Sequence, residues 1–494
     1  MILDFIFLFI SSLLYFINSN LDGYNNLYPL SALNLIYHIY RLTLSYKKDN
    51  TNFFISPIFL SVIFTFLLQL GTLSNILLYA LNGGNEIHEY TAPLESEKQW
   101  LPKAMYLVSW ASFFYWKGYN SNIGILVFNL LKKIPIYIKL FKGELSQNKI
   151  MYLAIFSYLF KAYLYSIGLF GRILAEEYFV AGEGYKGGIY FIRTFGNLSY
   201  VTFFLISINK FSNNSNKNNV LFYSSLILEF FFGFIYGARS TFVYPILLMF
   251  IANYYVTRKI NKLILAIVLP ISLFMSVTVV LDYKNYALSE YFMRSKSVFE
   301  IYNTYREYQK YASTSTSEDS GILDAFKILV TNSSFIQEAA IVIRYADQHP
   351  KAGEIRAKIL KNFFLIPIDV VIPKFIQGDN NFPWGLWFKD EVVHHNVGLN
   401  YSLAMSPIGF LYLGGGFFMV VLFFGLYGIA LKISFCFFKE KSLFSFLVYL
   451  LTLVSLYNFD TVVSGVMINF IRDLFIFPFI FWLLFGKFRL FKKV

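Results

Sequence analysis

The feature that most constrains this chain is its succession of apolar runs, each near twenty residues long and nearly free of charge. A helix rises 1.5 Å per residue, so such a run matches the hydrocarbon thickness of a bilayer. The runs fall at 2–18, 27–43, 53–81, 100–117, 150–171, 187–209, 219–236, 240–257, 262–281, 402–434, 443–459 and 463–485. Hydrophobic residues make up 57% of the 494 and charged residues 14%, against about 25% charged in a soluble domain. The expected fold class is therefore an all-α polytopic membrane protein with about twelve transmembrane helices. The second run, "LSALNLIYHIYRL", is short and holds His38 and Arg41. The third and tenth are too long for straight crossings and are expected to be tilted or broken, the tenth at "LGGGFF".

Lysine and arginine in the connecting loops set the orientation. With the N-terminus inside, the inner loops hold Lys47/Lys48, Lys132/Lys133/Lys139/Lys142, Lys210/Lys217, Arg258/Lys259/Lys262, Lys439/Lys441 and the tail "GKFRLFKKV". Roughly twenty basic residues then lie inside against about four in the short outer loops, as the positive-inside rule requires. Both termini are expected in the cytoplasm, in a multi-pass protein of the bacterial cytoplasmic (inner) membrane. The formal charge of +13 is accounted for by these inner loops, so no nucleic-acid partner is expected. "MILDFIFLFISSLLYFI" lacks a basic n-region and an A-x-A site, and reads as a retained first span.

The organisation expected is spans 1–9 over residues 1–281, an external domain over 282–401, and spans 10–12 with a basic tail over 402–494. In the external domain, "SVFEIYNTYREYQKY" and "SFIQEAAIVIRYA" carry apolar residues at three and four spacing and predict helices. "STSTSEDSG" is a flexible joint, and "IPIDVVIPKFIQGDNNFPWGLWF" reads as an irregular loop rich in Pro, Gly and aromatics.

A few cations stand outside the inner loops. Arg172 ends the fifth span at its outer edge, Arg193 lies about one turn inside the sixth, and Arg239 occupies "YGARS" between the seventh and eighth. Arg472 sits in the outer half of the last span, and Arg344 is external. A charge at membrane depth costs about 2.5–3.5 kcal/mol on insertion scales, so it has a partner or a purpose. The bland reading pairs Arg472 with Asp473 or Asp460, sets Glu229 against one arginine, or lets span-end arginines snorkel to headgroups. The functional reading gathers Arg172, Arg193 and Arg239 as an outward-facing anion site, since a planar guanidinium binds two phosphate oxygens at once. Gly237 permits a sharp turn before Arg239, and Ser240 and Thr241 are suited to cap the next helix, whose N-terminus favours anions.

A second run, "KDEVVHHNVGLNYSLAMSPIGFLYLGG", holds His394 and His395, two of five histidines. Histidine titrates near pH 6.5 and serves as a general base, although neighbouring histidines point apart and a solvated pair near headgroups is the bland alternative. No H-x-x-x-H or H-E-x-x-H occurs, so no metal is expected even with Asp390 and Glu391 nearby. No G-x-S-x-G, P-loop or G-x-G-x-x-G occurs either, which argues against a serine hydrolase, an ATP-driven pump and a dinucleotide enzyme. With one cysteine, Cys436, there is no intramolecular disulfide. Phe382, Trp384, Trp387 and Phe388 could stack on sugar rings or form an interfacial belt.

Three stretches carry a resemblance. "FGFIYGARSTFVYPILL" is similar to the Gly-x-Arg turn of the bacterial oligosaccharide repeat-unit polymerases, the Wzy-type O-antigen and capsule polymerases, which are related to the O-antigen ligases. "IPKFIQGDNN" resembles that family's external "IPR-x-(I/L)-W-x-D-K-P" segment, with Lys374 in the arginine place and no tryptophan. "MSPIGFLYLGGGFFMVVLFFGLYGIAL" looks like the small-residue span after the loop. The resemblance implies a GT-C-like architecture and glycosyl transfer, inverting or retaining, from a glycan on undecaprenyl pyrophosphate to a lipid-linked repeat unit, with no cofactor. It implies that Arg239, Arg193, Arg172 and Arg344, with Lys374, hold the pyrophosphate. His394 or His395 is the expected base, with Glu338 behind them. Partners would be the lipid-linked glycans, membrane lipid and a chain-length regulator protein. A ligase and a lipid-linked-glycan flippase are the rival readings.

Overall fold

The computed structural model describes residues 2–17, 27–81, 99–133, 147–166, 179–180, 184–185, 195–212, 215–236, 239–257, 259, 303–304, 306–307, 335–371, 387–392, 405–439, 445, 448–452, 467, 470–471, 473–474 and 476–477. Among these the chain is mostly helical, with one two-residue hairpin of Phe179–Val180 and Gly184–Tyr185. By contacts it divides into two units, 1–143 with 182–184 and 330–494, and 144–181 with 185–329. This division follows packing, whereas the 1–281, 282–401 and 402–494 division follows hydropathy.

The first unit contains α1 (Ile2–Ile17), α2 (Leu27–Asp49), α3 (Pro57–Ser61) continuing as a π-helical stretch Val62–Gln69, α4 (Thr72–Leu81), α5 (Leu101–Asn120) and α6 (Ile123–Lys132). The second holds α7 (Gln147–Ser166), α8 (Leu198–Ser212), α9 (Asn216–Tyr236) and α10 (Arg239–Thr257). The first unit is completed by α11 (Ile336–Gln348), α12 (Ala352–Val371) and α13 (Pro407–Lys439).

Local chemistry sets the boundaries. The Ser56 hydroxyl accepts from Phe59 N–H at 3.3 Å and Pro57 opens the helix, so α3 starts where a cap meets a preset φ. The third apolar run breaks at Gly71, whose φ of 79° is the left-handed region that favours glycine. The tenth run breaks within "LGGGFF", at Gly415 and at Gly416, where φ is 62°. Both expected breaks are thus present. Between residues 282 and 401, α11 covers the predicted helix, and the described residues 303–304 and 306–307 of the other predicted helix are helical. One boundary differs from expectation: α12 runs on to Val371 and takes in Ile366–Val371, the start of the stretch read as an irregular loop. Here tertiary context overrides the local signal of Pro367.

Helices pack both parallel and antiparallel within each unit. In the first, Asn34 bonds Ser109 and His38 bonds Ser112 and Trp116, so α2 runs parallel to α5. Tyr15 stacks on Tyr106 and Asp4 pairs with Lys117, so α1 runs antiparallel to it. Along α13 the contacts advance from Tyr412 at Lys103 to Phe417 at Trp110 and Gly425 at Gly118, again parallel to α5. A Cβ on Gly118 would fall on the Gly425 carbonyl oxygen, and one on Gly428 on the Tyr115 carbonyl oxygen. Glycine is what lets these two backbones touch. In the second unit Gln147 meets Asn218, Lys161 meets Glu229 and Tyr165 meets Phe232, so α7 and α9 are parallel. Asn209 meets Asn218 and Phe203 meets Phe222, so α8 opposes α9.

Two helices expose long apolar faces and bury a few polar residues among their apolar ones. Helix α7 exposes Met151, Tyr152, Ile155, Phe156, Leu159 and Tyr163 while burying Ser157 and Lys161. On α1 the exposed face is Ile2, Phe5, Phe9, Leu13 and Phe16, and the buried one includes Asp4 and Ser11. Soluble domains seldom expose contiguous apolar faces of this length. Among the described residues one helix, α13, is long and apolar enough to cross a membrane by length and composition.

Candidate functional site

The layer built on α11 carries the chemistry that the first unit offers. Ile336, Ala339, Ala340, Val342, Ile343 and Ala346 form its buried face, the three-and-four spacing that its sequence predicts. Its start is pinned where Phe335 N–H donates to the Gln69 carbonyl at 2.8 Å. Gly409 of α13 lets it approach closely, since a Cβ there would stand 3.2 Å from Ala339 Cα.

Glu338 lies in the first turn of α11. Its Oε2 is sealed from solvent and has no hydrogen-bond partner. Burial pushes the carboxyl from its ordinary value of 4.5 up to about 7, opposed in part by a hydrogen bond from its own backbone. A carboxyl so tuned is divided between its two forms at neutral pH, the condition a general acid or base requires. Further along, Lys103 pairs with the Asp347 carboxylate, which also accepts from the Tyr412 hydroxyl at 2.9 Å. Arg356 Nε of α12 donates to the Leu413 carbonyl at 3.3 Å, just before the glycine break. Tyr345 stacks on His349 at 4.3 Å and meets Trp387 edge-on at 5.3 Å. Its phenol is raised by burial and then by the nearby Glu391 and Glu354 carboxylates.

Of the residues singled out from sequence, Glu338 and Arg344 share α11. Six positions put them about 120° apart around its axis, so they do not share a face. Arg239 is the first residue of α10. Ser240 and Thr241 therefore lie inside the first turn rather than at the N-cap, because the helix begins earlier than its apolar run. Arg239 belongs to the second unit and Glu338 to the first. Arg172, Arg193, Lys374, His394, His395, Asp460 and Arg472 lie outside the described residues.

The structure also gives a charged site that the sequence reading missed. In the second unit, Lys161 Nζ stands 2.9 Å from Glu229 Oε2 and donates to the Ser199 hydroxyl at 2.9 Å. It lies over the rings of Tyr200 and Phe232, at 4.5 and 5.1 Å. Both charged side chains are almost fully buried, and the Tyr158 phenol lies beside the Glu229 carboxylate. Glu229 is thus paired with a lysine and not with one of the arginines. The signal was available: Lys161 is a cation midway along the 150–171 apolar run, where the same insertion cost applies.

His38 and Arg41, which weakened the second run as a span, are both held inside the first unit. Trp116 Nε1 donates to His38 Nδ1 at 3.1 Å, which leaves Nε2 to carry the proton and donate to Ser112 at 3.0 Å. Arg41 Nη2 pairs with Asp4 at 2.6 Å, and Lys117 reaches the other Asp4 oxygen at 3.4 Å. These are packing devices, partnered on every side. Comparison with protein-family models, curated proteins and solved structures found no match for the chain.

Proposed function

We propose that this chain is a multi-span membrane glycosyltransferase that polymerises undecaprenyl-pyrophosphate-linked repeat units into O-antigen or capsular polysaccharide at the outer membrane face. The observation that carries the catalytic reading is Glu338 on α11, a half-buried residue with one carboxyl oxygen sealed and unpartnered and its carboxyl raised by burial to about 7. Support for membrane placement comes from the apolar exteriors of α1 and α7, which bury Asp4, Ser11, Ser157 and Lys161 among apolar residues. The Lys132 and Lys439 ends of α6 and α13 lie together, through Phe128 and Phe437, away from α11. By the positive-inside rule that end is cytoplasmic and α11 is external.

In the reaction, Glu338 takes the proton from the acceptor hydroxyl as its oxygen bonds to the anomeric carbon of the donor. The bond from that carbon to the pyrophosphate oxygen breaks, and the pyrophosphate leaves with the electron pair. By the resemblance alone, the charge on the leaving pyrophosphate is assigned to Arg239, Arg193, Arg172 and Arg344, with Lys374, an electrostatic role. His394 and His395 are the competing bases. A lipid-linked-glycan flippase is the reading favoured by the buried Lys161–Glu229 pair, since intramembrane ionisable residues mark transport paths.

The test is the polysaccharide ladder of a deletion strain complemented with Glu338→Gln or Arg239→Ala. Transfer predicts loss of long chains with a single capped unit remaining; a ligase defect leaves no capped unit, and a flippase defect retains the lipid-linked unit inside. A full ladder at normal protein level in both variants would remove the reading.

A further inference from the structure

Side chains from α1, α5, α11 and α13 gather around Lys103, near the start of α5. Its ammonium pairs with the Asp347 carboxylate of α11 and lies over the rings of Trp100 and Tyr412, at 5.2 and 4.9 Å. Tyr412 of α13 donates its hydroxyl to Asp347 at 2.9 Å. Tyr15 of α1 stacks on Tyr106 of α5 with ring centroids 4.5 Å apart, and its phenol lies within electrostatic reach of Lys103, Tyr412 and Asp347. Each side chain thus touches or faces the next, in one cluster. The cluster is open to the outside: Tyr15, Trp100, Lys103, Tyr106 and Tyr412 are half-buried and Asp347 is exposed. Tyr412 is near the start of α13, whose far end carries Lys439 beside Lys132, so the cluster lies at the end that the membrane reading makes external.

Aromatic rings with a lysine among them also form belts at lipid-headgroup level. Charge balance separates the two readings. Asp347 cancels Lys103, so the cluster carries no net charge, and its carboxylate repels a lipid phosphate. What remains suits a neutral ligand with many hydroxyls. An ammonium has three N–H donors and a carboxylate about four acceptor positions, so both keep capacity beyond the bonds they share. The negative faces of the rings attract the polarised C–H face of a sugar. Ligand sites commonly join aromatic walls to a few placed polar groups in this way. We infer that the cluster is a glycan-docking surface for a neutral sugar residue, with its C–H face on the aromatic rings and its hydroxyls on Asp347 and Lys103. For the ligand's identity this rests on the glycosyl-transfer reading. It gives that substrate a contact apart from Glu338 and from the arginines assigned to pyrophosphate.

The experiment uses the full-length protein in a detergent without a sugar headgroup, as wild type and as Asp347→Asn, Tyr15→Leu and Tyr15→Phe. Thermal unfolding is followed with no addition, with about 100 mM glucose, galactose or N-acetylglucosamine, and with inorganic phosphate. At least one sugar should raise the wild-type midpoint by about 2 °C, and phosphate should not. Tyr15→Leu should lose the sugar response, and Tyr15→Phe, which keeps the ring, should retain it. Asp347→Asn leaves the Lys103 charge unbalanced, so it should lose most of the sugar response and gain one to phosphate. If Tyr15→Leu does not fold, Asp347→Asn at its exposed position decides alone. A wild type that answers to no sugar, one that answers to phosphate as strongly as to sugar, or an Asp347→Asn variant that behaves as wild type would overturn the proposal. Its failure and that of the transfer reading are separable. A sugar response with a full ladder in the Glu338→Gln strain removes transfer and keeps the docking surface, whereas a lost ladder without a sugar response removes the surface alone.

Discussion

Replacing Lys161 by methionine removes the cation from the interior of the second unit and strands a carboxylate there. Glu229 Oε2 loses its 2.9 Å partner, and the Ser199 hydroxyl loses the ammonium that it accepts from. With both side chains at 1% exposure or less, solvent cannot replace the lost charge. Removing one partner of a buried pair costs about 3–5 kcal/mol, because the other charge remains uncompensated. That is roughly two to four orders of magnitude in the folded-to-unfolded ratio. The double variant Lys161→Met with Glu229→Leu leaves no charge behind and should recover to within about 1 kcal/mol of wild type, or exceed it. The assay is reversible denaturation of the full-length protein in detergent, followed by helical circular dichroism. Equal midpoints for Lys161→Met and the double variant would refute the argument, since they would mean that the carboxylate is not stranded.

Glu338 makes stability depend on pH. Its folded pKa is raised above the unfolded one, so its contribution is fully present below about 4.5 and is lost as pH rises to about 7. The loss amounts to about 3 kcal/mol, and Glu338→Gln should flatten that decline between unfolding midpoints measured at acid and mildly alkaline pH. Activity should move the opposite way, rising through pH 7 as the base is freed, and an activity profile flat across pH 5–8 would exclude Glu338 as the base. Gly118→Ala and Gly428→Ala should each lower the unfolding midpoint, by about 1–3 kcal/mol or more, because the added methyl meets backbone oxygen. Gly353→Ala, where a Cβ meets nothing within 4 Å, should raise it by about 0.5 kcal/mol.

Much of the local structure was legible because its causes are local. The periodicity of "SFIQEAAIVIRYA" predicts α11, and Ile336, Ala339, Val342 and Ile343 are indeed its buried face. The excess length of the third and tenth runs foretells a tilt or break in each, and "LGGGFF" the one at Gly415–Gly416; the third breaks at Gly71. The start of α10 was misjudged by a residue or two because hydropathy changes at Ser240 while the helical backbone begins at Arg239.

Sequence by itself thus determined the helical class, the break of the tenth run at its glycines and the list of charges that need an explanation. Only the tertiary structure decided how those charges are satisfied. Glu229 meets Lys161 across 68 positions of sequence because α7 and α9 lie parallel and in register, and His38 meets Trp116 for the same reason between α2 and α5. Glu338 looks in the sequence like an ordinary first-turn acid. Its shift arises from burial once α11 docks against the rest of the first unit, which no local sequence signal shows.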